Sequence, residues 1–225
     1  MQHYPASSDA SRGSALVLAH GAGAGERHPF MIAFGRGLAA AGIDVITFNF
    51  PYMERKRRVP DKAPALEQRF RDVIDNVRAG PLQGRRLFIG GKSMGGRIAT
   101  HLAAQPWVRA SGLGVRSNPE SRIPSPELSG VLALGYPLHP PGRPDQPRTA
   151  HLSSIAVPVL IVQGERDTFG TPLELEPVIR TMRAPATLHV VEGADHSLKV
   201  RGRTSEQVYA PVFAAIVDWM RRYSV

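Results

Sequence analysis

A serine with glycines two positions to either side is the residue of this sequence best suited to covalent chemistry. Gly91-Lys92-Ser93-Met94-Gly95 has the G-x-S-x-G spacing and stands between an apolar run and a segment of helical period. That spacing places the serine on a tight strand-to-helix turn, in a strained backbone conformation that the glycines make possible. The turn directs the Met94 amide and the helix N-terminus at a developing oxyanion. We therefore predict that Ser93 is a nucleophile.

A serine hydroxyl needs a base, and the base needs an orienting residue; in this arrangement they follow in the order Ser, Asp, His. Asp167 and His196 each come just after an apolar strand candidate. Loops that leave a parallel sheet at its carboxyl edge lie together, so both side chains are expected beside Ser93. Glu165 and Asp195 compete for the acidic role. Asp167 is preferred because it occupies the loop position after the penultimate strand.

The glycine-rich segment His20-Gly21-Ala22-Gly23-Ala24-Gly25 directly follows the first strand candidate. It can supply a second oxyanion amide from Ala22 or Gly23, with His20 bracing the loop. A dinucleotide-binding role is disfavoured because the G-x-G-x-x-G spacing is absent. Gly-Lys-Ser at 91–93 also suggests a phosphate-binding loop, but the position where that motif needs its first glycine is Arg86.

Several loop residues are candidates for the walls of a substrate pocket. They are Gly23, Phe50, Tyr52, Tyr136 and His139. For the four larger side chains, packing beneath the loops is an equally open interpretation. Lys92 and Arg97 can favour an anionic acyl group, or they can be surface charges beside the serine.

Short β-branched apolar runs alternate with longer helical segments, which predicts an α/β domain with a mostly parallel six-stranded sheet and helices on both faces. The predicted strands are Ala15–Ala19, Asp44–Phe48, Arg86–Gly90, Gly130–Leu134, Val157–Val162 and Thr187–Val191. The predicted helices are Pro29–Ala41, Pro64–Arg78, Met94–Ala104, Pro172–Met182 and Ser205–Tyr223.

The chain length of 225 residues fits one such domain, expected at 14–225 after a flexible N-terminus at 1–13. Two proline-rich stretches, Asn118–Pro126 and Pro137–Pro147, are predicted loops. In enzymes that carry a nucleophilic serine on such a turn, a lid over the site is usually inserted between the fourth and fifth of these strands. Here only about 20 residues separate the two predicted strands, which is too few for a folded cap. We expect a minimal lid or none.

Composition narrows the possible partners. The sequence has no cysteine, which excludes disulfides and thiolate chemistry, and no apolar run long enough to span a membrane. A cytoplasmic protein is expected, because no signal or lipid anchor is readable. The 28 Lys and Arg outnumber 19 Asp and Glu, with a dense run at Arg55-Lys56-Arg57-Arg58. That run is interpreted as a solvated loop, and without a nucleic-acid-binding motif a nucleic-acid partner is not expected.

These residues together resemble the α/β-hydrolases, and more narrowly the small dienelactone-hydrolase-like branch, to which the hydrolase-like third subunit of the animal NSL histone-acetyltransferase complex is related. The resemblance rests on His20-Gly21-Ala22-Gly23, Asn49-Phe50-Pro51-Tyr52, Gly91-Lys92-Ser93-Met94-Gly95-Gly96-Arg97, Gly135-Tyr136-Pro137-Leu138-His139, Gly164-Glu165-Arg166-Asp167 and Gly193-Ala194-Asp195-His196. It implies Ser93, Asp167 and His196 as a triad, and a vestigial or missing first antiparallel hairpin. Dienelactone hydrolase itself uses a cysteine, so the resemblance is not expected to extend to its substrate.

The leading hypothesis is a serine hydrolase that cleaves a small ester, thioester or related acyl substrate without a cofactor or metal. The oxyanion would be held by the amides of Ala22 and Met94. Relatives near the NSL subunit also serve as interaction modules. The alternative hypothesis is therefore a weak or inactive scaffold whose partner contacts the basic run.

Overall fold

The computed structural model describes residues 1–7, 13–80, 82–105, 109–110 and 127–223, and these form a three-layer α/β/α domain. The strands are β1 Gln2–Tyr4, β2 Ser14–Ala19, β3 Asp44–Phe48, β4 Arg86–Lys92, β5 Arg109–Ala110, β6 Glu127–Leu128, β7 Gly130–Leu134, β8 Val159–Gly164 and β9 Ala186–Val191. The helices are α1 Pro29–Ala40, α2 Pro51–Glu54, α3 Ala63–Ala79, α4 Met94–Ala103, α5 Pro172–Arg180 and α6 Ser205–Arg222.

The main sheet has seven strands in the order β1-β3-β2-β4-β7-β8-β9, and β5 pairs with β6 separately. All neighbouring strands of the main sheet run parallel except β1, which is antiparallel to β3. The carboxyl ends of β4, β8 and β9 therefore open on one edge. This edge carries Ser93, Asp167 and His196 in the loops that follow these strands.

The six predicted strands and five predicted helices are all present, with ends shifted by no more than two residues. The seventh strand, β1, lies inside the segment expected to be flexible. It is ordered by pairing Gln2–Tyr4 with β3 and by packing Tyr4 over Gly35, where an added Cβ would lie 2.6 Å from the tyrosine ring. Three residues are too few to show a strand period. The predicted loop at 118–126 falls outside the described residues.

The helices bury one stripe each on opposite faces of the sheet, as the parallel topology requires. On one face α3, α4 and α5 contribute side chains such as Phe70, Leu102 and Leu175 to a core with the sheet. On the other face α1 and α6 do the same with Phe34 and Trp219. Alternate residues of β2 enter the two cores, so the strand is buried on both sides.

Prolines and capping boxes set where the helices begin. Proline occupies the first or second position of α1, α2, α3 and α5, where the missing amide hydrogen is not needed. Thr171 and Glu174 form a capping box at α5, and Thr204 and Gln207 form another at α6. The short helix α2 was not predicted, because four residues carry no helical period.

The segment between β7 and β8 contains one 3-10 turn, Leu152–Ser154, and no other helix or strand. Its proline-rich part, 137–147, is a loop as predicted. No folded cap is inserted in this segment, so residues 135–158 do not form a lid domain over Ser93.

Candidate active site

Ser93 is the only residue between β4 and α4, and its backbone is strained, with φ 52° and ψ −116°. A non-glycine residue in such a region costs about 1–3 kcal/mol, which the surrounding packing must offset. Glycines on either side permit this packing. A Cβ on Gly91 would lie 2.4 Å from the carbonyl carbon of Gly95, and one on Gly95 would lie 2.5 Å from the Ala19 oxygen.

His196 and Asp167 complete a continuous hydrogen-bonded chain with Ser93. His196 Nε2 lies 2.8 Å from Ser93 Oγ, and Nδ1 lies 2.9 and 2.8 Å from the two carboxylate oxygens of Asp167. Asp167 is fully buried, whereas His196 is partly exposed. With Nδ1–H donating to the carboxylate, Nε2 is left as the acceptor for the serine proton.

Two residues that the sequence reasoning missed hold the carboxylate and the ring. Gln163 Nε2 donates to Asp167 Oδ2 at 2.9 Å, and the Phe169 amide donates to Oδ1 at 2.8 Å. The Phe169 ring stacks on the His196 imidazole, with centroids 4.1 Å apart. Both residues flank Asp167 closely in sequence, but neither type carries a catalytic signal by itself.

The competing acids bind backbone amides of the loop after β9. Glu165 Oε2 accepts a hydrogen bond of 2.7 Å from the Gly193 amide. Asp195 Oδ1 accepts from the amides of Ser197 and Lys199 at 2.8 and 3.0 Å. Their role is to shape the loop that carries His196.

The glycine-rich loop after β2 lies close to Ser93. A Cβ on Gly21 would lie 3.5 Å from Ser93 Cβ, and Ala22 and Gly23 line the cleft that contains Ser93. Met94, the first residue of α4, presents its amide at the helix N-terminus. The loop and the start of the helix therefore both lie next to Ser93.

His20 holds the glycine-rich loop in place through contacts of both ring nitrogens. Its Nδ1 lies 2.8 Å from the Gly21 carbonyl, and its Nε2 accepts from the Phe50 amide at 3.1 Å. Burial lowers the pKa of His20, which keeps the ring neutral. A neutral ring with Nδ1–H as donor satisfies both contacts.

A cleft of about 700 Å³ opens beside Ser93 and His196. Its wall on the α1 side is apolar, with Phe30, Met31 and Ala33, and Tyr209 of α6 adds an aromatic surface. Lys92 and Lys199 supply its cations, and no carboxylate lines it among the described residues.

The sequence profile of the alpha/beta hydrolase domain matches residues 12–221. The chain belongs to the alpha/beta hydrolase family. The matched region contains every element of the main sheet except β1, together with Ser93, Asp167 and His196.

Solved structures of hydrolases share this fold at low sequence identity. Dienelactone hydrolase from Anabaena variabilis is 19% identical over 97% of this chain and 89% of its own, with a TM-score of 0.70. A serine hydrolase without a lid from Xanthomonas campestris is 18% identical over 98% and 87%, with a TM-score of 0.69. Est1E from Butyrivibrio proteoclasticus, solved with ferulic acid, is 13% identical over 93% and 89%, with a TM-score of 0.67.

Of the five residues proposed to line the pocket, only Gly23 lies in the cleft. Phe50, Tyr52 and Tyr136 are fully buried in the core, and His139 is 6% exposed. The Tyr136 hydroxyl donates to the Arg148 carbonyl at 2.6 Å, and His139 pairs with Glu174. The prediction was wrong for these four, because their loops fold inward on the α3–α5 side while the cleft opens toward α1 and α6.

The described residues were also compared with the requirements of a metal site and of a membrane-spanning helix. No three metal-ligating side chains gather among them. Within the same residues, no helix combines the length and apolar character needed to cross a lipid bilayer.

Proposed function

We propose that the chain is a serine hydrolase that cleaves a small ester or thioester through an acyl-enzyme. The observation that carries the proposal is the unbroken chain of contacts of 2.8–2.9 Å from Ser93 through His196 to Asp167. It lies on a strained turn at the open edge of the sheet, where ligands bind in folds of this kind.

Each step uses the side chains already in place. His196 Nε2 takes the hydroxyl proton as Ser93 Oγ bonds to the acyl carbon, and Asp167 stabilises the resulting imidazolium. The carbonyl oxygen becomes an oxyanion between the amides of Ala22 and Met94. As the oxyanion collapses, the bond from the acyl carbon to the leaving oxygen or sulfur breaks, and the imidazolium protonates the departing alcohol or thiol. A water molecule, deprotonated by His196, then attacks the acyl carbon. The bond to Ser93 Oγ breaks as the imidazolium returns the proton to Oγ, which releases the acid and restores Ser93.

The dimensions and lining of the cleft favour small substrates with an apolar acyl or alcohol part. A volume of about 700 Å³ lies in the range typical of small-molecule sites. Phe30, Met31 and Tyr209 supply an apolar wall. Est1E, which shares this fold, was solved with ferulic acid, and an aromatic acid of that size is one kind of acyl group to test.

Covalent labelling by a fluorophosphonate tests the proposal, because the reagent reacts only with an activated serine. Intact mass is measured on the wild type and on Ser93→Ala and His196→Ala, with circular dichroism to verify folding. We expect one adduct on the wild type and none on the two variants. A folded wild type that acquires no adduct would overturn the proposal.

A scaffold role is the alternative that this experiment would then favour. The basic run at 55–58 is exposed on the loop after α2, next to Val59, which is 75% exposed. Within it, Arg57 forms an ion pair with Asp61. A scaffold would be indifferent to Ser93→Ala and would lose its partner when Arg55 and Arg58 are neutralised.

A further inference from the structure

Lys92 occupies an unusual position, between Gly91 and the proposed nucleophile Ser93. Its aliphatic stem packs on the glycine-rich loop, since a Cβ on Gly21 would lie 3.7 Å from Lys92 Cγ. Its ammonium lies 5.9 Å from the centroid of the Phe30 ring. Lys92 is half-buried, and its side chain lies against the wall of the cleft beside Ser93.

The ammonium of Lys92 is attached to the loop that carries the proposed base. Nζ donates a short hydrogen bond to the backbone carbonyl of His196. Gly135 leaves the space for this contact: a Cβ there would lie 2.7 Å from Nζ and 3.0 Å from the His196 oxygen. The contact joins residues 104 positions apart and ties the end of β4 to the loop after β9.

Lys92 is a cation with a neutral hydrogen-bond partner. Asp167 and Asp195 act on Nζ through their charges and not through hydrogen bonds. The other titratable groups that line the same cleft are His28, His196, Lys199 and Tyr209 of α6. Burial lowers the pKa of Lys92 to about 8, and the charges of Asp167 and Asp195 offset part of this effect.

We propose that Lys92 is a positioning residue whose ammonium holds the His196 backbone and thereby keeps the imidazole between Ser93 and Asp167. The physical reason is that a charge-assisted hydrogen bond is roughly twice as strong as a neutral one. Asp195 and Glu165 bind only amides at other positions of this loop. The carbonyl of His196 itself depends on Lys92.

The positioning of His196 by Lys92 should depend on pH, because the ammonium loses its proton near pH 8. Below pH 8 Lys92 is charged in the folded protein and the hydrogen bond to His196 is strong. Above pH 8 the neutral amine still donates, but more weakly. Positioning by Lys92 is therefore expected to fade as the pH rises through about 8.

The first experiment rests on the proposed function and measures the rate of fluorophosphonate labelling from pH 6 to 10. Lys92→Met keeps the stem and removes the charge, while Lys92→Arg keeps a cation at every pH tested. Lys62→Met is the matched control, an exposed lysine that makes no side-chain cap at α3.

We expect Lys92→Met to label about 10- to 100-fold more slowly below pH 8, the cost of a misplaced base. The ratio of wild-type to Lys92→Met rates should fall as the pH rises through about 8. Lys92→Arg should recover part of the rate and show no such fall, and Lys62→Met should label like the wild type. A ratio that is near one, or that does not change with pH, would overturn the inference.

A second experiment separates this inference from the proposed function. Hydrogen-exchange protection of residues 193–199 is compared in Ser93→Ala and in Ser93→Ala combined with Lys92→Met, so that no labelling or turnover is required. Loss of the hydrogen bond from Lys92 to the His196 carbonyl should lower the hydrogen-exchange protection of this loop by about tenfold at pH 7. Equal protection would refute the positioning role even if Ser93 is labelled. Lower protection in an unlabelled protein would support it while the proposed function fails.

Discussion

The side-chain amide of Gln163 donates a hydrogen bond of 2.9 Å to Asp167 Oδ2, so the proposed orienting acid is itself held by a fully buried residue. Gln163 also receives the Tyr136 amide at 2.7 Å and reaches the Gly170 carbonyl at 2.6 Å. It thereby joins the loops after β7 and β8 to the carboxylate.

Replacing Gln163 with glutamate keeps its shape and reverses the polarity of its contact with Asp167. Two carboxylates would then meet in a buried site, and we expect the free energy of unfolding at pH 7 to fall by about 3 kcal/mol or more. Urea unfolding measures this. Acidification should restore part of the loss, because the introduced carboxyl group can donate to Asp167 once it is protonated.

The exposed Gln146→Glu is the control for Gln163→Glu, and it should change stability by less than about 0.5 kcal/mol. A small change for Gln163→Glu at pH 7 would mean that the amide orientation assigned to Gln163 is wrong.

The assignment of Asp167 over Asp195 can be decided by two matched substitutions. Asp167→Asn removes the charge that holds Nδ1–H of His196, and kcat is expected to fall by about 10⁴-fold. Asp195→Asn keeps an oxygen that accepts the Ser197 and Lys199 amides, so kcat should stay within about tenfold. Steady-state kinetics on an activated ester compares them. Similar losses in both variants would contradict the assignment.

The strained turn at Ser93 depends on the absence of a side chain at Gly91. Gly91→Ala would place a Cβ 2.4 Å from the Gly95 carbonyl carbon, where both partners are backbone and cannot move independently. We expect a loss of about 3 kcal/mol or more in the free energy of unfolding. Thermal or urea unfolding gives the value.

Gly142→Ala is the comparison for this substitution, since Gly142 has φ +72° but no described atom lies within 4 Å of the place that a Cβ would take. It should lose only about 1–2 kcal/mol from backbone strain. A loss at Gly91→Ala no larger than that at Gly142→Ala would contradict the close packing inferred around the turn.

The features that were predicted from the sequence are those that depend on local residue spacing or on the topology of a parallel sheet. The spacing around Ser93 predicted the turn, and the period of the apolar runs predicted the strands that bring Asp167 and His196 to the same edge. These three residues are separated by long stretches of chain, but a parallel sheet leaves few alternatives for where its loops meet.

The contacts that support the site were not predictable in this way. Gln163 is one polar residue in an apolar strand, and its contact with Asp167 arises from the path of the loop at 165–171. Phe50 and Tyr52 lie at the start of α2, and Tyr136 lies in the loop after β7. All three are at the correct edge of the sheet, yet they point into the core. Packing against α3 and α4 decides whether such a side chain points into the core or into the cleft. Outside regular helices and strands the sequence has no hydrophobic repeat from which this direction can be predicted.

His151 provides a test of stability that is independent of catalysis. Thr100 Oγ1 donates to the Arg97 carbonyl at 2.7 Å, so His151 Nε2–H must donate to the same hydroxyl oxygen, at 2.9 Å. Burial, with smaller contributions from the charges of His101 and Arg97, lowers the pKa of His151 to about 3. The ring is therefore neutral in the folded protein at pH 5.

Acid should destabilise the protein through His151 because only the unfolded chain binds a proton there between pH 6.5 and about 3. Its contribution is fully present above pH 6.5 and is lost progressively below it, with a slope of at most about 1.4 kcal/mol per pH unit. His151→Gln can still donate to Thr100 but binds no proton, so its free energy of unfolding should depend less steeply on pH between 6.5 and 4. The slope should not vanish, because burial also lowers the pKa of His20. Urea unfolding at several pH values compares the two proteins, and parallel slopes would mean that His151 is protonated in the folded state.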